Sequence, residues 1–158
     1  MQGFGLLGIG AVLKLLGMIM LNAFVYAAIG YLLVLFIHSE SAWGGVLTVV
    51  GTLVGFLGAI YLPVSMLSEK IVNVLKCLPV IHGTAMMREV ITKDAMKVTF
   101  EGLPDLVSQT FAKEMGIVLW SGDMQITLGK QILVLALYAI IAIVAATIIS
   151  KRRKIHDR

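Results

Sequence analysis

Charge is scarce in this sequence: only 14% of its 158 residues are Asp, Glu, Lys or Arg, against about 25% in an ordinary soluble domain. Cysteine is nearly missing as well. The single Cys77 excludes an intrachain disulfide and leaves no thiolate cluster to hold a metal. His38, His82 and His156 are too dispersed to form a metal site, and no Gly-rich loop precedes a Lys-Ser or Lys-Thr pair. The chain therefore carries no cofactor or nucleotide of its own in this reading. With no acid–base pair or activated nucleophile either, it does not read as an enzyme. The few acidic residues fall almost entirely outside the apolar runs, which argues against an intramembrane ion relay.

What is abundant is apolar surface. Apolar residues make up 59% of the chain, an excess too large for one small core to bury, so lipid must solvate part of it. A helix that crosses about 30 Å of hydrocarbon needs about 20 apolar residues. Three stretches meet that requirement: 15–37, broken only by Asn22; 43–62, uncharged and closed by Pro63; and 128–150, which ends at a basic block. That block, Lys151-Arg152-Arg153-Lys154, holds four of the thirteen basic residues. It reads as a positive-inside anchor rather than a nucleic-acid contact, placing the 151–158 tail and the C-terminus in the cytoplasm. The expected fold is an all-α polytopic membrane protein in the cell membrane. Its single domain, 1–158, has three transmembrane helices plus a re-entrant or interfacial helical pair on the outer side. Met1 opens directly into an uncharged apolar run with no charge before Lys14. A signal peptide would begin with basic residues, so the chain reads as the C-terminal part of a longer protein.

Between the second and third runs the pattern changes. The segment 64–91 mixes apolar residues with Glu69, Lys70, Lys76, His82, Arg88 and Glu89, too polar to span and too apolar to float free. Pro79 divides it, since proline lacks an amide proton and clashes with the preceding turn. Two short helices joined at Leu78-Pro79 are expected, lying in or re-entering the interface. The outer segment 92–127 is more soluble in character. There Pro104 precedes Leu106, Val107, Thr110 and Phe111 at helical spacing, the mark of a short amphipathic helix. His82 and Arg88 sit where a buried charge is costly and usually partnered. In the second span Gly44, Gly51, Gly55 and Gly58 share one helix face, with Gly51 and Gly55 forming a small-xxx-small pair. Such a face is expected to meet protein, either within the chain or across a dimer seam.

The order of short motifs resembles the membrane subunit of type-2 ATP-binding-cassette (ABC) exporters. A polar turn Ser39-Glu40-Ser41-Ala42 is followed by a glycine-rich span ending Gly55-Phe56-Leu57-Gly58-Ala59-Ile60-Tyr61-Leu62-Pro63. Next come Leu67-Ser68-Glu69, then Leu78-Pro79-Val80-Ile81-His82-Gly83, then Met87-Arg88, and the last span carries its basic tail. The resemblance covers 15–91 and 128–154. It implies the last three spans of a six-span permease, working as a homo- or heterodimer with a separate ABC ATPase subunit that binds the ATP. On this reading the chain helps move a small molecule, a lipid-like compound or a peptide outward. Pro63, Pro79, His82 and Arg88 become candidates for an outer gate. The rival expectation is a small non-transport membrane protein, an immunity or assembly factor acting through a partner.

Overall fold

The computed structural model describes residues 8–122 and 124–156, with side chains up to Arg152. The run before Gly8, the side chains of Arg153 and Lys154, and the end of the tail lie outside the described residues. Among the described residues three helices are long and apolar enough to cross a membrane: α1 (Ile9–Val34), α2 (Glu40–Leu57) and α6 (Leu128–His156). Between α2 and α6 come a 3-10 turn at Val64–Met66, α3 (Glu69–Leu75), α4 (Pro79–Thr99) and α5 (Asp105–Glu114). The protein is an all-α membrane protein. One small addition that the sequence pattern does not announce is an antiparallel hairpin, β1 (Trp120–Ser121) with β2 (Met124–Gln125), pairing Trp120 with Gln125.

The helix ends follow local chemistry more closely than hydropathy. α1 takes in Lys14 and begins at Ile9, and α2 starts where the Ser39 hydroxyl accepts the Ala42 amide at 3.2 Å. At its other end α2 stops at Leu57, although the apolar run continues to Leu62. Ala59 adopts φ 52°, the left-handed conformation that terminates a helix. Its amide bonds the Phe56 carbonyl at 3.0 Å and that of Ile60 bonds Gly55 at 2.9 Å, the two hydrogen bonds of a Schellman cap. Tyr61 then folds back so that a Cβ on Gly55 would run into its ring, while Phe56 meets Tyr61 edge-on at 5.2 Å. Pro79 occupies the first turn of α4, as the missing amide favours. Helix α4 continues through 92 to Thr99 without a break.

Helices α1, α4 and α6 form the bundle that holds the molecule together. Met18 and Val25 of α1, Met86 of α4, and Leu135 and Ala139 of α6 make one core cluster. The N-terminal half of α4 is the most deeply enclosed part of the fold, with Pro79 to Gly83, Ala85 and Met86 all buried. A second cluster of Leu75, Ile81, Ala85 and Leu119 joins α3 and α4 to the segment after α5. Outward faces of the three long helices carry exposed Leu, Ile, Val and Phe side chains, such as Leu133, Ile140 and Phe24, as expected of surfaces solvated by lipid. Helix α2 stands apart. Gly55 is its only buried residue, and it packs on α4 through its C-terminal end.

Candidate functional site

The four candidate gate residues do not converge on one point. Pro63 is half-buried and opens the 3-10 turn, where its carbonyl accepts the Met66 amide at 3.1 Å. Pro79, His82 and Arg88 all lie on α4 and act on different neighbours.

Arg88 sits between two helix ends. One guanidinium nitrogen, Nη2, donates to the carbonyls of Gly58 (3.3 Å) and Ala59; the other, Nη1, donates to those of Met115 and Gly116, both at 3.4 Å. The second pair belongs to the end of α5, which also closes in a Schellman cap. There Gly116 takes φ 65°, its amide bonds Lys113 O at 3.2 Å, and the Ile117 amide bonds Ala112 O at 2.9 Å. Arg88 thus receives the last two carbonyls of two matched helix caps, and among the described residues none of its hydrogen bonds goes to a carboxylate. The C-terminal ends of helices carry partial negative charge, and the rigid fork of arginine can serve two acceptor pairs at once. Burial lowers the Arg88 pKa from its usual value, but a guanidinium keeps its proton in proteins. Thr84, one turn earlier on α4, adds a 3.0 Å hydrogen bond to the same Gly58 carbonyl. Three elements are stapled in this way: the end of α2, the end of α5 and the middle of α4.

His82 serves the turn before its own helix. Its Nε2 donates to Lys76 O at 2.7 Å, and the Tyr138 hydroxyl of α6 donates to Cys77 O at 2.7 Å. The carbonyls released at the end of α3 are therefore met by side chains from α4 and α6. His82 is only 2% exposed and its Nδ1 has no partner among the described residues, while donation to a carbonyl places a proton on Nε2. Burial lowers its pKa, opposed by the hydrogen bond to Lys76. A pKa below the unfolded value of about 6.5 makes the folded state bind protons less readily than the unfolded one. The associated stability is present at neutral pH and is lost as pH falls below about 6.5 toward the folded pKa. Thermal unfolding in micelles should accordingly show a midpoint that falls on acidification, and His82→Gln should flatten that dependence while keeping a donor for Lys76 O. An unchanged slope in the variant would assign the effect to other groups.

Sequence reasoning missed several partners. Asn22 is 4% exposed, donates to Met18 O at 2.8 Å, and lies against Gly83, where a Cβ would run into its Oδ1. It marks the crossing of α1 and α4. Gly83 follows His82 in the quoted motif, so its position was visible and its neighbour was not. Of the four glycines on the α2 face, Gly55 meets Tyr61 and Gly58 meets Thr84 and Val80, whereas a Cβ on Gly44 or Gly51 would touch nothing within 4 Å. Lys151 and Arg152 are exposed at the end of α6.

Three apolar spans, a helix enclosed at its N-terminal half and a capped layer stapled by one arginine describe a polytopic membrane protein whose connecting segment is folded into the bundle. The chain matches the family described as ABC-2 family transporter protein over residues 2–148 and belongs to that family. It is a permease, the transport membrane subunit of an ABC transporter, and is not itself catalytic. No curated protein and no solved structure matches it.

Proposed function

We propose that this permease is the membrane half of an exporter, moving a small molecule, a lipid-like compound or a peptide outward on ATP hydrolysed by a separate ABC subunit. The carrying observation is the Arg88 staple, which couples the end of one span to the layer between spans two and three. A shift of α2 would be passed to α4 through Arg88 and Thr84 and to α5 through Arg88, as a gate requires. The basic block in the last turns of α6 supports a cytoplasmic C-terminus in the cell membrane, which makes the capped layer the outer one. The open Gly44 and Gly51 positions on α2 suit a second permease copy, identical or homologous, at a small-residue seam. ATP is bound by the partner, and this chain needs no cofactor.

Orientation is tested first. In a Cys77→Ala background, a Lys113→Cys variant should react with a membrane-impermeant maleimide on intact cells, and Lys151→Cys only after permeabilisation. The reverse pattern would overturn the outward assignment. Proteoliposomes holding the permease with its co-purifying ATPase should then move amphiphilic cargo only when ATP is on the ATPase side. Equal movement without the permease would sink the transport reading.

A further inference from the structure

Away from Arg88, the connecting layer forms a half-open cavity of about 610 Å³ between the 3-10 turn, α3, α5 and the start of the hairpin, a volume suited to a small ligand. Its walls are of two kinds. Val64, Leu67, Val72 and Leu119 supply apolar surface, while Glu69, Lys76, Lys113 and Glu114 bring two charges of each sign. Among the described residues the lining is therefore electrically balanced, with its four charges set into a mainly apolar surface.

The charges are placed rather than scattered. Lys76 Nζ donates to Asn73 Oδ1 at 3.3 Å, which holds the ammonium on the α3 wall. Across from it Lys113 Nζ lies 5.8 Å from the centre of the Trp120 ring. The indole N–H of Trp120 is buried without an acceptor among the described residues, so what the cavity meets is the ring and not its donor. A second hollow of about 200 Å³ shares Thr110, Lys113, Trp120 and Gly122 with the first. The Lys113–Trp120 pair therefore borders both hollows.

Charge balance narrows the occupant. A simple anion would be drawn by the lysines and repelled by Glu69 and Glu114, and a simple cation the reverse. An uncharged apolar ligand would strip water from four charges and return nothing. A molecule carrying both signs a few bonds apart, with hydrocarbon attached, satisfies every wall. Lysines are point-charge partners for phosphate, and an indole face beside carboxylates suits a substituted ammonium.

We propose that this cavity binds a zwitterionic amphiphile with a phosphate–ammonium headgroup. Its phosphate meets Lys76 and Lys113, its ammonium meets Glu69, Glu114 and the Trp120 face, and its hydrocarbon lies along Val64, Leu67 and Val72. The site does not depend on transport, so it can be tested without an ATPase.

The sequence holds two tryptophans, Trp43 and Trp120, and Trp43→Phe leaves Trp120 as the sole indole reporter. The full chain in maltoside micelles is titrated with dihexanoylphosphatidylcholine below its own micelle concentration, with dihexanoylphosphatidylglycerol, and with free phosphocholine. The expected result is a saturable change in Trp120 emission with the phosphatidylcholine and at least about tenfold weaker binding of the anionic lipid, the weight of one charge-assisted contact. Lys113→Gln and Lys76→Gln should each weaken the phosphatidylcholine by about tenfold on the same reasoning. Either variant decides alone if the other fails to fold. Phosphocholine binding as tightly as the lipid would support the site and assign it to a soluble headgroup compound; binding only with acyl chains would support it and assign it to a membrane lipid. A non-saturating response, or equal affinity for the anionic and zwitterionic lipids, overturns the proposal.

Discussion

Replacing Arg88 with leucine is expected to destabilise the protein by about 2–4 kcal/mol and to abolish transport. Leucine removes the donor for four carbonyls, those of Gly58, Ala59, Met115 and Gly116. Two helix ends then lose their shared counter-charge, and Thr84 alone remains on Gly58. The measurement is thermal unfolding in micelles, paired with ATP-driven transport by the reconstituted complex. Arg88→Lys separates charge from geometry. An ammonium is a point charge on a flexible stem and cannot serve both carbonyl pairs with a rigid fork, so lysine should recover less than half of the lost stability. Full recovery with lysine would show that a positive charge near the two caps is sufficient, and the staple would lose its structural meaning.

The second large effect is expected at Gly116. Valine there meets two separate objections. The backbone has φ 65°, which costs an L-residue about 1–2 kcal/mol and a β-branched one more. The new Cβ would also stand 2.5 Å from Val64 Cγ2 and 3.2 Å from Arg88 Nη1, and overpacking of this kind adds about 1–3 kcal/mol. Gly116→Val should therefore unfold the α5 cap and displace the arginine, with a combined loss of roughly 2–5 kcal/mol. A Val64→Ala background removes part of the collision and leaves the φ penalty, so it should restore some of the stability and never all of it. Complete rescue by Val64→Ala would mean that the left-handed cap is not required.

The sequence made the membrane character plain because lipid-facing helices need no partner to reveal them. A long apolar run such as 128–150, whose one charge is Lys130 near its start, is a span on composition alone, and α6 begins at Leu128 as the pattern implies. The division at Pro79 was equally legible, since proline acts through its own backbone. The end of α2 was not. Residues 58–62 are as apolar as the helix before them, and only the left-handed turn at Ala59 separates the two. The candidate site was half visible. Arg88 stood out as a charge in an apolar stretch, but its partners are backbone carbonyls supplied by residues about 27 to 30 positions away, and carbonyls leave no signature in a side-chain pattern. Asn22 opposite Gly83 was hidden for a related reason: the contact depends on which turns of α1 and α4 meet, which neither helix specifies by itself.

The shortness of the attachment between α2 and the bundle has a mechanical meaning. Eighteen residues make a rod about 27 Å long, fixed at the Gly55–Tyr61 end and open along Gly44 and Gly51. Tilting such a rod by about 10° at its anchored end swings the Glu40 end through about 5 Å, close to one helical turn. Motion confined to the anchored end would thus arrive at the opposite end amplified, with Arg88 as the bearing on which the lever turns.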